Sequence, residues 1–80
     1  MIYTVDSAAL RKAMIDNNML TIDALSNESG VNRNTISAIL DNKSRPSSSV
    51  IDKLALALRL DGNDVGRIFF VPKLAYKQDI

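Results

Sequence analysis

The chain contains no cysteine and no histidine, which excludes disulfides, thiolate nucleophiles, imidazole bases and the usual zinc ligand sets. It has a single glutamate, Glu28, and its eight aspartates stand singly, so no two carboxylates are arranged for general acid and base roles. No enzymatic activity, cofactor, metal or small-molecule substrate is expected. No apolar run approaches the roughly 18 residues that span a bilayer, and Met1 to Asp6 lacks the basic leader of a signal peptide. The expectation is a cytoplasmic protein with no membrane partner.

The 80 residues have room for one small core. A chain of this size is expected to be stable by roughly 4 to 12 kcal/mol. The net charge of +1 conceals an uneven distribution. Residues 1–29 carry two cations against four carboxylates, whereas residues 30–59 carry five cations against two. A basic middle suits a protein that offers one face to a polyanion, and a solvated helix surface would have the same composition.

The order of caps and apolar spacings predicts five helices. The first starts after Asp6, buries Leu10, Ala13 and Met14, and ends at Asn17-Asn18. The second starts at Thr21, with Asp23 favoured by the dipole of its first turn, and stops at Gly30. Asn32 caps the third, which keeps Ile36 and either Ile39 or Leu40 on its inner face and a short-chained polar face outside. Pro46 forbids simple continuation, and Ser47 or Ser48 caps a fourth helix whose stripe includes Leu54 and Leu58. Asp61 and Asp64 resemble a capping box for a short fifth helix from Gly62 to about Phe69. Residues 1–69 are thus expected to form the domain and 70–80 an extended tail. The termini, Met1 to Val5 and Phe69 to Val71, are β-prone enough to pair as a ribbon, although fraying is the commoner outcome.

The informative stretch runs from Leu20 to Leu40, two helices of about eight residues joined by Ser29-Gly30-Val31-Asn32, with Leu25, Val31 and Ile36 spaced to pack them together. This is the spacing of a helix-turn-helix, and any helical hairpin in a bundle shares it. Further residues narrow the choice: Leu25-Ser26 in the second helix, Ser29-Gly30-Val31 in the turn, Thr35-Ile36 in the third, a Pro-Ser start to the fourth and Leu-Ala-x-Ala-Leu inside it. From about Leu10 to Phe69 the chain resembles the Cro and C1-repressor (XRE) family of phage and bacterial regulators.

The resemblance implies an all-α, five-helix, lambda-repressor-like fold in which the third helix, Arg33 to Leu40, enters the major groove of double-stranded DNA. It implies base contacts from Arg33, Asn34, Ser37 and Ala38. Arg33 can fork onto guanine, Asn34 can pair with adenine, and Ala38 can touch a thymine methyl. Phosphate contacts are expected from Thr21, Thr35, Asn42, Lys43, Ser44 and Arg45. There are departures from the family pattern: Ile22 stands where glutamine is frequent, and Asn42 and Arg59 replace frequent glycines. Asparagine tolerates a left-handed backbone, but arginine pays about 1 kcal/mol there, which leaves the end of the fourth helix open.

Half-sites one DNA turn apart, about 34 Å, require a dimer or a partner. Val65, Ile68, Phe69 and Phe70, with Ile22, are the candidates for that surface, and the C-terminal group could equally close the core. Besides an operator-binding repressor, two readings fit: an antirepressor or modulator of lysogeny that binds another repressor, and a DNA-binding antitoxin whose only room for toxin contact is Phe70 to Ile80.

Overall fold

Each helix begins where a short polar side chain satisfies amides that have no partner in a first turn. The computed structural model describes residues 3–73. Met1, Ile2 and residues 74–80, which include most of the expected tail, lie outside them. Asp6 accepts from the Ala9 amide at 3.1 Å and opens α1 (Ser7–Asp16). Thr21 does the same for α2 (Ile22–Ser29) through Ala24, and Asn32 for α3 (Arg33–Leu40) through Asn34. Of the two serines offered for α4 (Ser48–Ala57), Ser47 is the acceptor, from Val50. At α5 (Gly62–Phe69) the cap is reciprocal: Asp61 accepts from the Asp64 amide, and the Asp64 carboxylate accepts from the Asp61 amide. Arg67 donates to Asp64 at 2.9 Å, and this bond, with that of the Asp61 amide, holds the Asp64 carboxyl below the usual carboxylate range.

Four helices are followed within two residues by one with positive φ: Asn18 (61°), Gly30 (76°), Asn42 (57°) and Arg59 (55°). At Gly30 the left-handed turn lets α3 start with only three residues between it and the end of α2, so the two helices meet with almost no linker. Arg59 adopts the same backbone region in spite of its side chain. The Leu60 amide reaches back to Ala55 O at 2.9 Å and Leu58 is buried, so α4 is closed after all.

The helices turn their apolar stripes onto one core. Leu10, Leu25, Ile36, Leu54 and Phe69, one from each helix, are fully enclosed. Both Ile39 and Leu40 are buried, where spacing left a choice between them. The packing of α2 on α3 and α4, and of α1 on α3 and α5, leaves the outer side of α3 uncovered.

The termini correct an expectation. Instead of fraying, β1 (Tyr3–Thr4) pairs antiparallel with β2 (Val71–Pro72), Tyr3 opposite Pro72 and Thr4 opposite Val71. Two-residue strands have little intrinsic stability. They persist because the Asp6 amide continues the pairing onto Ile68 O at 2.8 Å, Val5 is buried, and the Tyr3 and Phe70 rings meet edge to face at 5.6 Å.

Candidate nucleic-acid interface

An eight-residue helix that buries its residues at 36, 39 and 40 must expose the opposite arc. At 100° per residue Arg33, Asn34, Ser37 and Ala38 fall within an arc of roughly 140°. Arg33 and Asn34 are exposed, while Ser37, Ala38 and Thr35 are partly so. The four residues expected to touch bases therefore share one side of α3. Asp41, just past its end, is exposed beside them. Sequence reasoning did not foresee that Arg33 is already engaged: its Nε lies 3.0 Å from Asp23 Oδ1 in the first turn of α2.

The residues expected at phosphates divide into two groups. Thr21 is exposed, with its hydroxyl accepting from the Ala24 amide. Lys43 and Ser44 are exposed on the loop after α3, and Lys43 makes no ion pair among the described residues. Asn42 and Arg45, in contrast, are occupied within the molecule. The Asn42 carbonyl accepts from the Thr4 hydroxyl at 3.1 Å, its amide donates to Ser7 Oγ at 3.1 Å, and Ser7 donates to Leu40 O at 2.7 Å. This chain of bonds pins the end of α3 to the start of α1 and to β1.

Arg45 has an engagement that its place in the loop does not suggest. Exposed like Lys43 and Ser44, it donates from Nη1 to Phe69 O at 3.1 Å and, at 3.5 Å, to Tyr3 O. Its guanidinium lies 5.8 Å from the Tyr3 ring centroid and 5.2 Å from that of Phe70. The loop after α3 is thereby fastened to the terminal ribbon. Arg45→Ala should lower unfolding free energy by about 2 kcal/mol, from two charged hydrogen bonds, the one to Tyr3 O long, and two cation–π contacts. Lys43→Ala should stay within about 0.5 kcal/mol. Paired urea denaturation curves check this, and equal effects would mean that Arg45 fastens nothing.

Between this loop and β1 lies a cleft of about 200 Å³ into which Lys43, Arg45 and Lys73 project with no carboxylate among the lining residues. Lys73 had no signal in the sequence, since only the ribbon brings it beside the loop. Ile68 and Phe69, two of the candidates for a partner surface, are fully buried and close the core. Ile22 and Val65 are partly buried against that core, and only Phe70 of the group is exposed, at 40%. Among the described residues, the other large exposed apolar side chains are Ile15, Leu20 and Leu56, which carry no signal of their own in the sequence.

Two short helices joined through a left-handed glycine, the second with a polar uncovered side, define a helix-turn-helix domain. The model of the Cro/C1-type HTH DNA-binding domain matches residues 9–65, well over half the chain, and the chain belongs to that family. It is a DNA-binding regulator of the lambda-repressor-like fold. Comparison with curated proteins and with solved structures finds no match. No helix among the described residues is long and apolar enough to cross a membrane.

Proposed function

We propose that this protein is a sequence-specific transcriptional regulator of the Cro or repressor kind, which lays α3 in the major groove of an operator. The observation that carries this reading is the gathering of Arg33, Asn34, Ser37 and Ala38 on the one side of α3 that no other helix covers. A major groove about 12 Å wide admits one helix and displays a donor and acceptor pattern that distinguishes every base pair. Arg33 and Asn34 reach guanine and adenine edges, and Ala38 contacts a thymine methyl. Thr21, Thr35, Lys43 and Ser44 hold the backbone, and Lys73 joins them through the cleft beside β1. Asn42 and Arg45 act one step removed, by fixing the loop that carries Lys43.

A protein of this size reads half-sites one turn apart, about 34 Å, only in pairs, as a homodimer on DNA or with a partner regulator. Reading as a repressor follows from simple occlusion, since a domain filling the groove over a promoter blocks the polymerase. The protein-binding alternative is weakened by the packing of Ile22, Ile68 and Phe69 against or within the core.

The test is retention of DNA from the gene's own upstream region across a salt series. If the two protomers together neutralise about six phosphates, affinity should fall on the order of a thousandfold between 50 and 200 mM salt, with one segment retained over bulk competitor. Absence of any retained segment at the lowest salt would overturn operator binding.

A further inference from the structure

Three ion pairs form among the described residues, and two of them, Lys12–Asp16 in α1 and Arg67–Asp64 in α5, each stay inside their own helix. The third joins two helices. Arg33 Nε meets Asp23 Oδ1 at 3.0 Å, bridging the first turn of α2 and the first residue of α3. Both side chains are more than half exposed. A pair so well solvated does little for stability, because water screens the attraction and ordering two side chains offsets most of what remains. Its effect falls on where the guanidinium points.

We propose that Asp23 sets the base preference of Arg33, holding the guanidinium with its terminal Nη edge toward the groove floor and away from the phosphates. The proposal rests on the reading above, in which Arg33 contacts a base. A guanidinium offers five N–H donors in a rigid plane. With Nε bound to Asp23, the two Nη groups remain as a fork, which is the edge that matches guanine O6 and N7. Asp23 is itself well placed as an anchor, since a carboxylate in the first turn of a helix is favoured by the helix dipole.

The same pair acts against sequence-blind binding. A long flexible cation beside a duplex finds phosphate oxygens at every step, and such contacts carry no sequence information. If Arg33 swings to a phosphate, the Asp23 carboxylate is left unpaired facing the backbone. Every complex in which Arg33 leaves its post therefore gains a like-charge repulsion. Asp23 weakens binding to arbitrary DNA and sharpens the choice among sequences, so the residue nearest the reading arginine serves discrimination at the expense of raw affinity.

The experiment is selection from a random duplex library by the full chain, with wild type, Asp23→Ala, Asp23→Glu and Arg33→Ala in parallel, each first checked for native helicity by circular dichroism. Wild type should enrich a motif with one position dominated by a G·C pair, at a preference of roughly 5- to 150-fold. Asp23→Ala should keep the rest of the motif, lose most of the preference at that position, and bind non-specific duplex several-fold more tightly with a steeper salt dependence. Asp23→Glu should restore much of the preference. A motif and a non-specific affinity unchanged by Asp23→Ala overturn the inference while leaving the operator reading intact. A motif unchanged by Arg33→Ala overturns the inference at its foundation, by removing Arg33 from base reading. A wild-type protein that enriches no motif overturns the operator reading, and the inference with it.

Discussion

Phe69→Ala is expected to lose about 3 to 5 kcal/mol of unfolding free energy, whereas its neighbour Phe70→Ala should lose only about 1 to 2 kcal/mol. Phe69 is fully enclosed at the end of α5, so truncation removes its transfer free energy and leaves a cavity that the surrounding helices fill only in part. Phe70 is 40% exposed, and its ring is spent on Tyr3 and Arg45. Against a total stability of roughly 4 to 12 kcal/mol, the first variant is left marginal. At about 4 to 8 °C per kcal/mol for a domain of this size, its Tm should fall by more than about 12 °C. Thermal denaturation of the two variants decides the matter, and a milder effect from Phe69 than from Phe70 would mean that α5 does not close the core as described.

The contrast between these adjacent phenylalanines shows where the sequence is informative and where it is not. The caps at Asp6, Thr21, Asn32 and Asp61 were legible because each is a bond between a side chain and an amide two or three residues away. Positive φ at Asn18, Gly30 and Asn42 follows from the same local chemistry. The exposed face of α3 was legible from spacing, since three buried positions in eight residues leave only one arc for the rest.

Features that depend on distant residues were not. Whether Ile68 and Phe69 face solvent depends on the docking of α5 against α1 and α4, which no local window contains. The bonds that fasten Arg45 were not legible because its partners, Tyr3, Phe69 and Phe70, are 24 or more positions away in sequence and come beside it only once the termini pair. The ribbon itself is not legible locally, because strand propensity over two residues says nothing of the rings and guanidinium that hold it. Asp23 was read as a favourable charge in a first turn, which it is, but its alignment with Arg33 depends on the angle between α2 and α3. Helix positions were set by neighbours in sequence, and the details of the interface by neighbours in space.

That division predicts the outcome of removing the two outermost polar side chains of α3 together. Arg33→Ala with Asn34→Ala should lower affinity for the selected operator by about 2 to 6 kcal/mol, as each good base pair contact discriminates by about 1 to 3 kcal/mol. Affinity for arbitrary duplex should change far less, because Lys43, Ser44 and the cleft beside β1 are untouched. Folding should also survive. Both residues are exposed, α3 is capped by Asn32 rather than by either of them, and Ile36, Ile39 and Leu40 still hold the helix on the core. The stability change should therefore remain within about 1 kcal/mol, most of it from the lost Asp23 pair and the altered first turn. Competition binding with operator and scrambled duplexes separates the two affinities. An equal loss on both would place Arg33 and Asn34 on phosphates, and the polar side of α3 would then grip DNA without reading it.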